Sequence, residues 1–169
     1  MNLGQKLVVE LCARPAGLNK GSPDSRFTYE QNIDGIHLKL EIQDFDKYGF
    51  LVRNIAARNT TPSATDNLKT LLTKQAAELE KRLTYLLEHF RLLELDELQH
   101  TAQVRSHVPY RQDGMIHYYE ALLREGSELL FARYHHETQR GQREIEPTYI
   151  TKEALVRLLN DLIGVLRVQ

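Results

Sequence analysis

The sequence has a single cysteine, no tryptophan and almost no net charge. Because Cys12 has no second cysteine to pair with, neither an internal disulfide nor a cysteine-based metal cluster can form within the chain, which favours a reducing compartment. The formal net charge of −1 gives no overall field that would attract nucleic acid or an anionic membrane, so nucleic acid is not an expected partner. The apolar runs are far shorter than the ~20 residues that cross a bilayer. We therefore expect a cytoplasmic protein with no membrane partner.

Several motifs of common enzyme classes are also missing. The sequence contains no glycine-rich phosphate loop, no two-glycine dinucleotide turn, no His-Glu-x-x-His pair and no Gly-x-Ser-x-Gly elbow. We therefore predict no cofactor and no metal, while the question of enzymatic activity stays open. Asp44, Asp46 and Gly49 occupy three positions of a calcium loop, but Tyr48 and Ile55 stand where two ligands are required. A hairpin turn explains the same residues.

The composition is that of an ordinary globular protein, with 41% hydrophobic and 27% charged residues. A chain of 169 residues buries about 70% of the surface that its unfolded form exposes, so one domain covering residues 1–169 is expected. Residues 1–25 are predicted to be partly irregular, because Gly17, Gly21 and Pro23 form a connector. Residues 3–13 fit either a short helix or a strand, and we favour the helix.

Two long amphipathic helices are the clearest elements. Leucines recur at steps of three and four over residues 66–88, and Ser63 and Asp66 stand before them at capping-box spacing. A similar stripe covers residues 152–167, where Thr151 can cap the helix. Because each helix has one apolar stripe, we expect both to pack on the same face of a sheet.

The other periodic segments have the two-residue alternation of strands. Residues 36–43 alternate apolar and polar side chains, and a turn at residues 46–49 joins them to a second strand over residues 50–57. Further strand candidates cover residues 27–31, 90–97, 102–108, 115–123, 129–137 and 143–150. The links between them are too short for parallel crossovers. The sequence therefore predicts an α+β fold with a mostly antiparallel β-sheet.

Two of these strand candidates, residues 115–123 and 129–137, are apolar or aromatic on both faces. Because the two helices can cover only one face, the other requires a cover from the N-terminal segment, an identical subunit, or a bound ligand or peptide. We prefer the identical subunit and predict a homodimer. The predicted interface residues are Ile116, Tyr118, Leu122, Leu130 and Tyr134.

The densest group of side chains suited to acid-base chemistry is at residues 133–137, where two histidines follow an arginine and a tyrosine. Adjacent strand residues point to opposite faces, so His135 and His136 cannot easily bind one metal together. The simpler interpretation is the polar end of a strand. The candidate ligand-binding residues are His117, Tyr119, Arg133, His135 and His136.

Two weaker groups have similar alternatives. Glu94, Asp96 and Glu97 can present paired carboxylates, or they can form a solvated edge. Three arginines at positions 133, 140 and 143 can suit a phosphate or a single-stranded base, or they can form a charged hairpin tip.

A short N-terminal helix, strands in which Ile33, Asp34 and Gly35 lead into residues 36–42, a middle helix, more strands and a C-terminal helix follow one another. This order resembles class I secretion chaperones. The resemblance implies a dimer that binds an extended stretch of a partner through apolar surface. The middle helix is longer here, the second half of the sheet has more strands, and no motif of that family is matched residue by residue.

These features support two main hypotheses for the function. The first is a non-enzymatic protein-binding or adaptor protein that acts as a homodimer, with a secretion-chaperone-like partner binder as one form of it. The alternative is a small-molecule-binding protein or enzyme, in which the candidate histidines, arginine and tyrosines line a cleft between sheet and helices.

Overall fold

The computed structural model describes residues 2–13, 26–137 and 141–169. The helices and strands in chain order are α1 (Leu3–Ala13), β1 (Phe27–Ile33), β2 (Ile36–Phe45), β3 (Gly49–Asn59), α2 (Leu68–Arg82), β4 (His89–Asp96), β5 (Thr101–His107), β6 (Tyr110–Gln112), β7 (Met115–Arg124), β8 (Glu128–Glu137), β9 (Arg143–Ile145), β10 (Thr148–Thr151) and α3 (Lys152–Leu166). A single 3₁₀ turn, Leu83–Leu86, follows α2. Within the described ranges, the helices fall short of the length and apolarity that a bilayer span requires.

The strands form one antiparallel sheet in the order β1-β2-β3-β8-β7-β5-β4. The central pairing of β3 with β8 covers only Asn54 to Arg58 on β3. Beyond it the two strands part, and β9 pairs with β8 while β10 pairs with β3. The predicted α+β fold with a mostly antiparallel sheet is therefore confirmed. The predicted single strand over residues 143–150 is two strands, because Pro147 cannot donate to a ladder.

The helices lie against one face of the sheet, which we call the inner face. Leu38 and Leu40 of β2, Leu123 of β7 and Phe131 of β8 share one buried core with the leucines of α2 and α3. The alternate residues of the same strands, such as Lys39, point to the opposite side, which we call the outer face. The predicted packing of both long helices on one side of the sheet is thus confirmed.

The first long helix is shorter than the predicted 66–88. It begins after Asn67, whose side-chain oxygen accepts a hydrogen bond from the Thr70 N–H at 2.9 Å, so Ser63 is not its cap. It ends at Arg82, and the chain tightens into the 3₁₀ turn. Leu87 continues the leucine spacing but has a left-handed backbone and is 96% exposed. The capping-box spacing of Ser63 and Asp66 therefore misplaced the start of this helix, and the leucine spacing misplaced its end.

The N-terminal segment is a helix, as favoured from the sequence. Leu7, Val8 and Leu11 of α1 are buried in the same core, and α1 packs on α3. The Gly4 N–H donates a hydrogen bond to Asn160 Oδ1 of α3 at 2.9 Å. The predicted connector at residues 16–25 lies outside the described residues.

Candidate functional site

The hairpin of β7 and β8 carries all five candidate ligand-binding residues and distributes them over both faces of the sheet. On the inner face His117 is opposite His135, and Tyr119 is opposite Arg133. His136 points to the outer face, opposite Ile116. The structure therefore brings four of the five candidates together and separates the fifth from them.

Arg133 is the centre of a polar network on the inner face. Its Nε donates to Glu146 Oε2 at 3.0 Å, and its Nη1 donates to Glu88 Oε1 at 3.2 Å. His117 Nδ1 lies 2.9 Å from the same Glu146 oxygen. Because an ionised carboxylate can only accept, Nδ1 carries the proton in this contact. One arginine and one histidine thus share two carboxylates.

Aromatic rings border this network. The Arg133 guanidinium lies 4.7 Å from the centre of the Tyr119 ring, and the Phe131 ring stacks on Tyr119 with centroids 5.6 Å apart. Burial raises the pKa of the Tyr119 hydroxyl, so the group stays protonated at neutral pH. The His135 ring centre lies 6.0 Å from that of His117.

The two carboxylates of the network were not among the candidates from the sequence. Glu88 follows the 3₁₀ turn and Glu146 lies in the two-residue link between β9 and β10. Both lie where a predicted element is interrupted: the predicted helix over residues 66–88 ends at Arg82, and the predicted strand over residues 143–150 breaks at Glu146 and Pro147. The Glu146 N–H donates to the Arg133 carbonyl at 2.9 Å, so both backbone and side chain tie this link to β8. We interpret the network as one that fixes the link in place, because its cations already have partners.

The ionisation of Glu146 is expected to stabilise the fold. Partial burial alone would raise its pKa, but hydrogen bonds from His117 and Arg133 and their charges lower the pKa below 4.5. A lowered folded-state pKa contributes stability above the unfolded pKa, and this contribution is lost as the pH falls through the folded pKa. Wild type should therefore lose stability between about pH 5 and pH 3 more steeply than Glu146→Gln.

Urea denaturation at several pH values measures this difference. Glu144→Gln is the matched control, because Glu144 is exposed and lies two residues earlier. Equal pH slopes for Glu146→Gln and wild type would show that the network does not hold the ionised carboxylate.

On the outer face, the chain itself covers much of the predicted interface. Of the five predicted residues, Ile116, Tyr118 and Tyr134 are buried, whereas Leu122 and Leu130 are half-buried. Arginine side chains account for the difference. The Arg105 guanidinium lies 4.2 Å from the centre of the Tyr118 ring, and a second arginine, from β9, lies 4.5 Å from that of Tyr134. Of the predicted interface residues, Leu122 and Leu130 are therefore the two that stay partly open to solvent.

A buried carboxylate holds these arginines in place. Glu120 of β7 is only 2% exposed on the outer face. It accepts hydrogen bonds from Arg105 at 2.9 and 3.2 Å, from Arg143 at 2.9 and 3.0 Å, and from Gln103 at 2.7 Å. These charge-assisted bonds satisfy the carboxylate although it is buried.

Two cavities flank Glu120 along the outer face. The first, about 290 Å³, we call the leucine groove; it is lined by His37, Lys39, Ala56, Ala57, Arg58, Leu122, Arg124, Glu128, Leu129 and Leu130. The second, about 410 Å³, we call the arginine pocket; it is lined by Arg91, Leu92, Leu93, Arg105, Ser106, His107, Pro109, Arg111, Ile116, Tyr118 and His136. The last candidate histidine thus belongs to the arginine pocket.

A third cavity, of about 630 Å³, lies between the N-terminal end of α2 and the C-terminal end of α3. Hydroxyl groups, Asp34, Glu125 and Arg167 are among its lining groups. The Arg167 guanidinium already donates to the Asp34 carbonyl at 3.3 Å. The lining of this cavity therefore contains charges of both signs and favours neither an anion nor a cation.

The weaker candidates from the sequence do not form sites among the described residues. Asp96 accepts from two backbone N–H groups of its turn, and Glu97 forms an ion pair with Lys69 at 2.6 Å, so both carboxylates already have partners. Asp46 accepts from its own turn and from the Tyr149 hydroxyl, as a hairpin turn requires. No group of three metal-binding side chains is present in residues 2–13, 26–137 and 141–169. Arg140 lies outside the described residues.

The fold and these sites define an α+β protein with helices on one side of the sheet and a partly open face on the other. No protein-family model matches the chain, and neither the curated proteins nor the solved structures contain a match to it. These comparisons give no support to a relationship with class I secretion chaperones.

Proposed function

We propose that this chain is a non-enzymatic protein-binding or adaptor protein, and that the leucine groove receives an acidic segment of a partner protein that carries apolar side chains. The observation that carries the proposal is the position of Leu122 and Leu130. They are apolar, half-buried and on the face without helices. Arg105 and Arg143, which cover the tyrosines, do not reach this end of the face. Partly open apolar surface in a concave site is typical of peptide-binding grooves.

The charges around the groove support an acidic partner. Lys39, Arg58 and Arg124 line it, together with one carboxylate, Glu128. Glu128 forms an ion pair with Arg58 at 3.5 Å, while Arg124 has no ion pair with any residue in the described ranges. Because complementary charge selects partners and accelerates their association, a segment with carboxylates beside its apolar side chains suits this groove best.

The predicted homodimer uses the same face and stays a prediction. In a two-fold interface the same patch meets itself, so cations close to the axis face their own copies. Arg124, which has no ion pair with the described residues, would then repel its own copy across the interface, which works against this mode of association. Light scattering over a range of protein concentrations tests it. A dimer that Leu130→Glu dissociates would make a second copy, instead of a foreign segment, the occupant of the groove.

The alternative of a small-molecule site or enzyme at His117, Tyr119, Arg133 and His135 has less support. The Arg133 guanidinium is shared between two carboxylates, and the Nδ1 of His117 is engaged by one of them. A ligand would have to displace these contacts. We therefore assign the network to the fold and binding to the outer face.

Selection of a phage-displayed random peptide library on the wild-type protein tests the proposed function. Peptides that combine carboxylates with apolar side chains should be enriched. The affinity of a selected peptide should fall about tenfold or more in Leu130→Glu, because a carboxylate replaces an apolar contact and repels the peptide.

Two further variants complete this test. Leu98→Glu is the matched control, since Leu98 is 90% exposed in the β4–β5 turn, and it should bind as wild type does. Arg124→Glu alters only an exposed charge and should weaken binding without affecting the fold. Enrichment of peptides without acidic residues, or equal affinity for wild type and both groove variants, would refute the proposal.

A further inference from the structure

The arginine pocket differs from the leucine groove in its charge. Three of its lining residues, Arg91, Arg105 and Arg111, are arginines, two more are histidines, and its lining includes no carboxylate. Its remaining lining includes apolar side chains of Leu93 and Pro109. A concentration of cations beside apolar surface indicates a site for an anion that has an organic part.

The pairing of β4 with β5 brings like charges together at this pocket. Arg91 lies directly opposite Arg105 in this pairing. Like charges directly opposite on a sheet destabilise it. An anion bound between the strands would remove this repulsion, so the arrangement costs stability in the free protein and favours an anionic ligand.

The cations of the pocket are only partly neutralised within the chain. Arg105 donates to Glu120, but the same carboxylate also accepts from Arg143, so one negative charge is shared between two arginines. Arg91 and Arg111 are exposed and form no ion pair with any residue that the structure describes. These two guanidinium groups are therefore free to donate paired hydrogen bonds to a ligand.

We propose that the arginine pocket binds a small phosphate monoester. A phosphate monoester carries nearly two negative charges at neutral pH and presents three acceptor oxygens, which match the planar forks of Arg91 and Arg111. The organic part lies against Ile116 and Pro109, which line the same pocket. The cavity of about 410 Å³ is within the range of small-molecule sites. This site is independent of the leucine groove, because the two linings share no residue and Glu120 lies on β7 between Tyr118 of the pocket and Leu122 of the groove.

Titration with phenyl phosphate, followed by backbone amide chemical shifts, tests the proposal. We expect saturable shifts in β4, β5 and β6, tighter binding than for inorganic phosphate because of the ring, and no comparable binding of phenol. The double variant Arg91→Gln/Arg111→Gln should raise the Kd for phenyl phosphate about tenfold or more, because two charge-assisted contacts are lost.

The matched control is Arg58→Gln/Arg124→Gln, which removes two arginines from the leucine groove of the same face and should leave the Kd unchanged. A second readout needs no ligand: Arg91→Gln should unfold at a higher temperature than wild type, since it removes the repulsion with Arg105. Equal affinity of wild type and the pocket variant, or binding of phenol as tight as that of phenyl phosphate, would overturn the proposal. Neither result would bear on peptide binding in the leucine groove.

Discussion

Replacing Glu120 by alanine should lower the free energy of unfolding by about 2–4 kcal/mol. Removing one member of a fully buried charged pair costs about 3–5 kcal/mol, because the other charge is left without a partner. Here the carboxylate is buried, but the Arg105 and Arg143 side chains are 28% and 43% exposed, so water can reach them and the loss is smaller. Both arginines should also leave the tyrosine rings that they cover.

Two further variants distinguish the effect of losing the Glu120 charge from the effect of losing its side-chain volume. Glu120→Gln keeps the size of the side chain and one acceptor oxygen, so its free energy of unfolding should lie between those of wild type and Glu120→Ala. Glu128→Ala is the matched control: it removes a partly exposed carboxylate paired with Arg58, and such pairs contribute at most about 1 kcal/mol. Urea denaturation measures all three. Equal losses for Glu120→Ala and Glu128→Ala would contradict the role of Glu120 as the anchor of the outer face.

Replacing Gly4 by valine should cost about 3 kcal/mol. A Cβ at this position would lie 2.3 Å from the carbonyl oxygen of Val156 and 3.0 Å from the Asn160 side chain. The carbonyl is helix backbone of α3 and cannot yield, so α1 must move away. That movement exposes part of Leu7 and Leu11, and full burial of such a side chain contributes about 1.5–3 kcal/mol.

Gly164→Ala is the control, because this glycine lies in the last turn of α3. Its added Cβ would meet only the end of the flexible Arg82 side chain, at 2.9 Å. Since alanine favours a helix by about 1 kcal/mol over glycine, this variant should be neutral or stabilised. Thermal unfolding and amide hydrogen exchange in α1 distinguish Gly4→Val from Gly164→Ala. Full protection of α1 in Gly4→Val would contradict the close contact between α1 and α3.

The sequence predicted the elements of this fold better than their ends and partners. The leucine stripes and the alternation in β2 predict the helices and the sheet because each element buries one side. The pairing of β3 with β8 joins residues far apart in the chain, and local periodicity contains no information about it. α2 ends at Arg82, where the chain tightens into a 3₁₀ turn, and the left-handed backbone at Leu87 ends that turn. Leucine spacing reveals neither.

The candidate sites show the same limit. Alternation along each strand, together with the pairing of β7 with β8 in one hairpin, makes the grouping of His117, His135 and Arg133 predictable. Their partners Glu88 and Glu146 follow a turn and lie in a link, whereas the sequence predicted a helix through residue 88 and a strand through residue 146. Apolar alternation also indicated an uncovered outer face, but it could not show that arginines from neighbouring strands would lie over Tyr118 and Tyr134.

The distribution of helices explains why binding is assigned to the outer face. α2 and α3 cover the inner face directly and α1 packs on α3, so the inner face offers little open surface. The outer face is left with one charged centre at Glu120 and a cavity on each side of it. A protein with this arrangement can hold a partner without any change in its core.

Chemical-shift mapping of a library-selected acidic peptide on the labelled protein tests the central claim most directly. The account predicts that the largest backbone amide shifts fall at Ala56, Leu122 and Leu130 on the outer face, and that Leu130→Glu abolishes them while Leu98→Glu does not. Shifts confined to the helices, or to the inner network around Arg133, would contradict it.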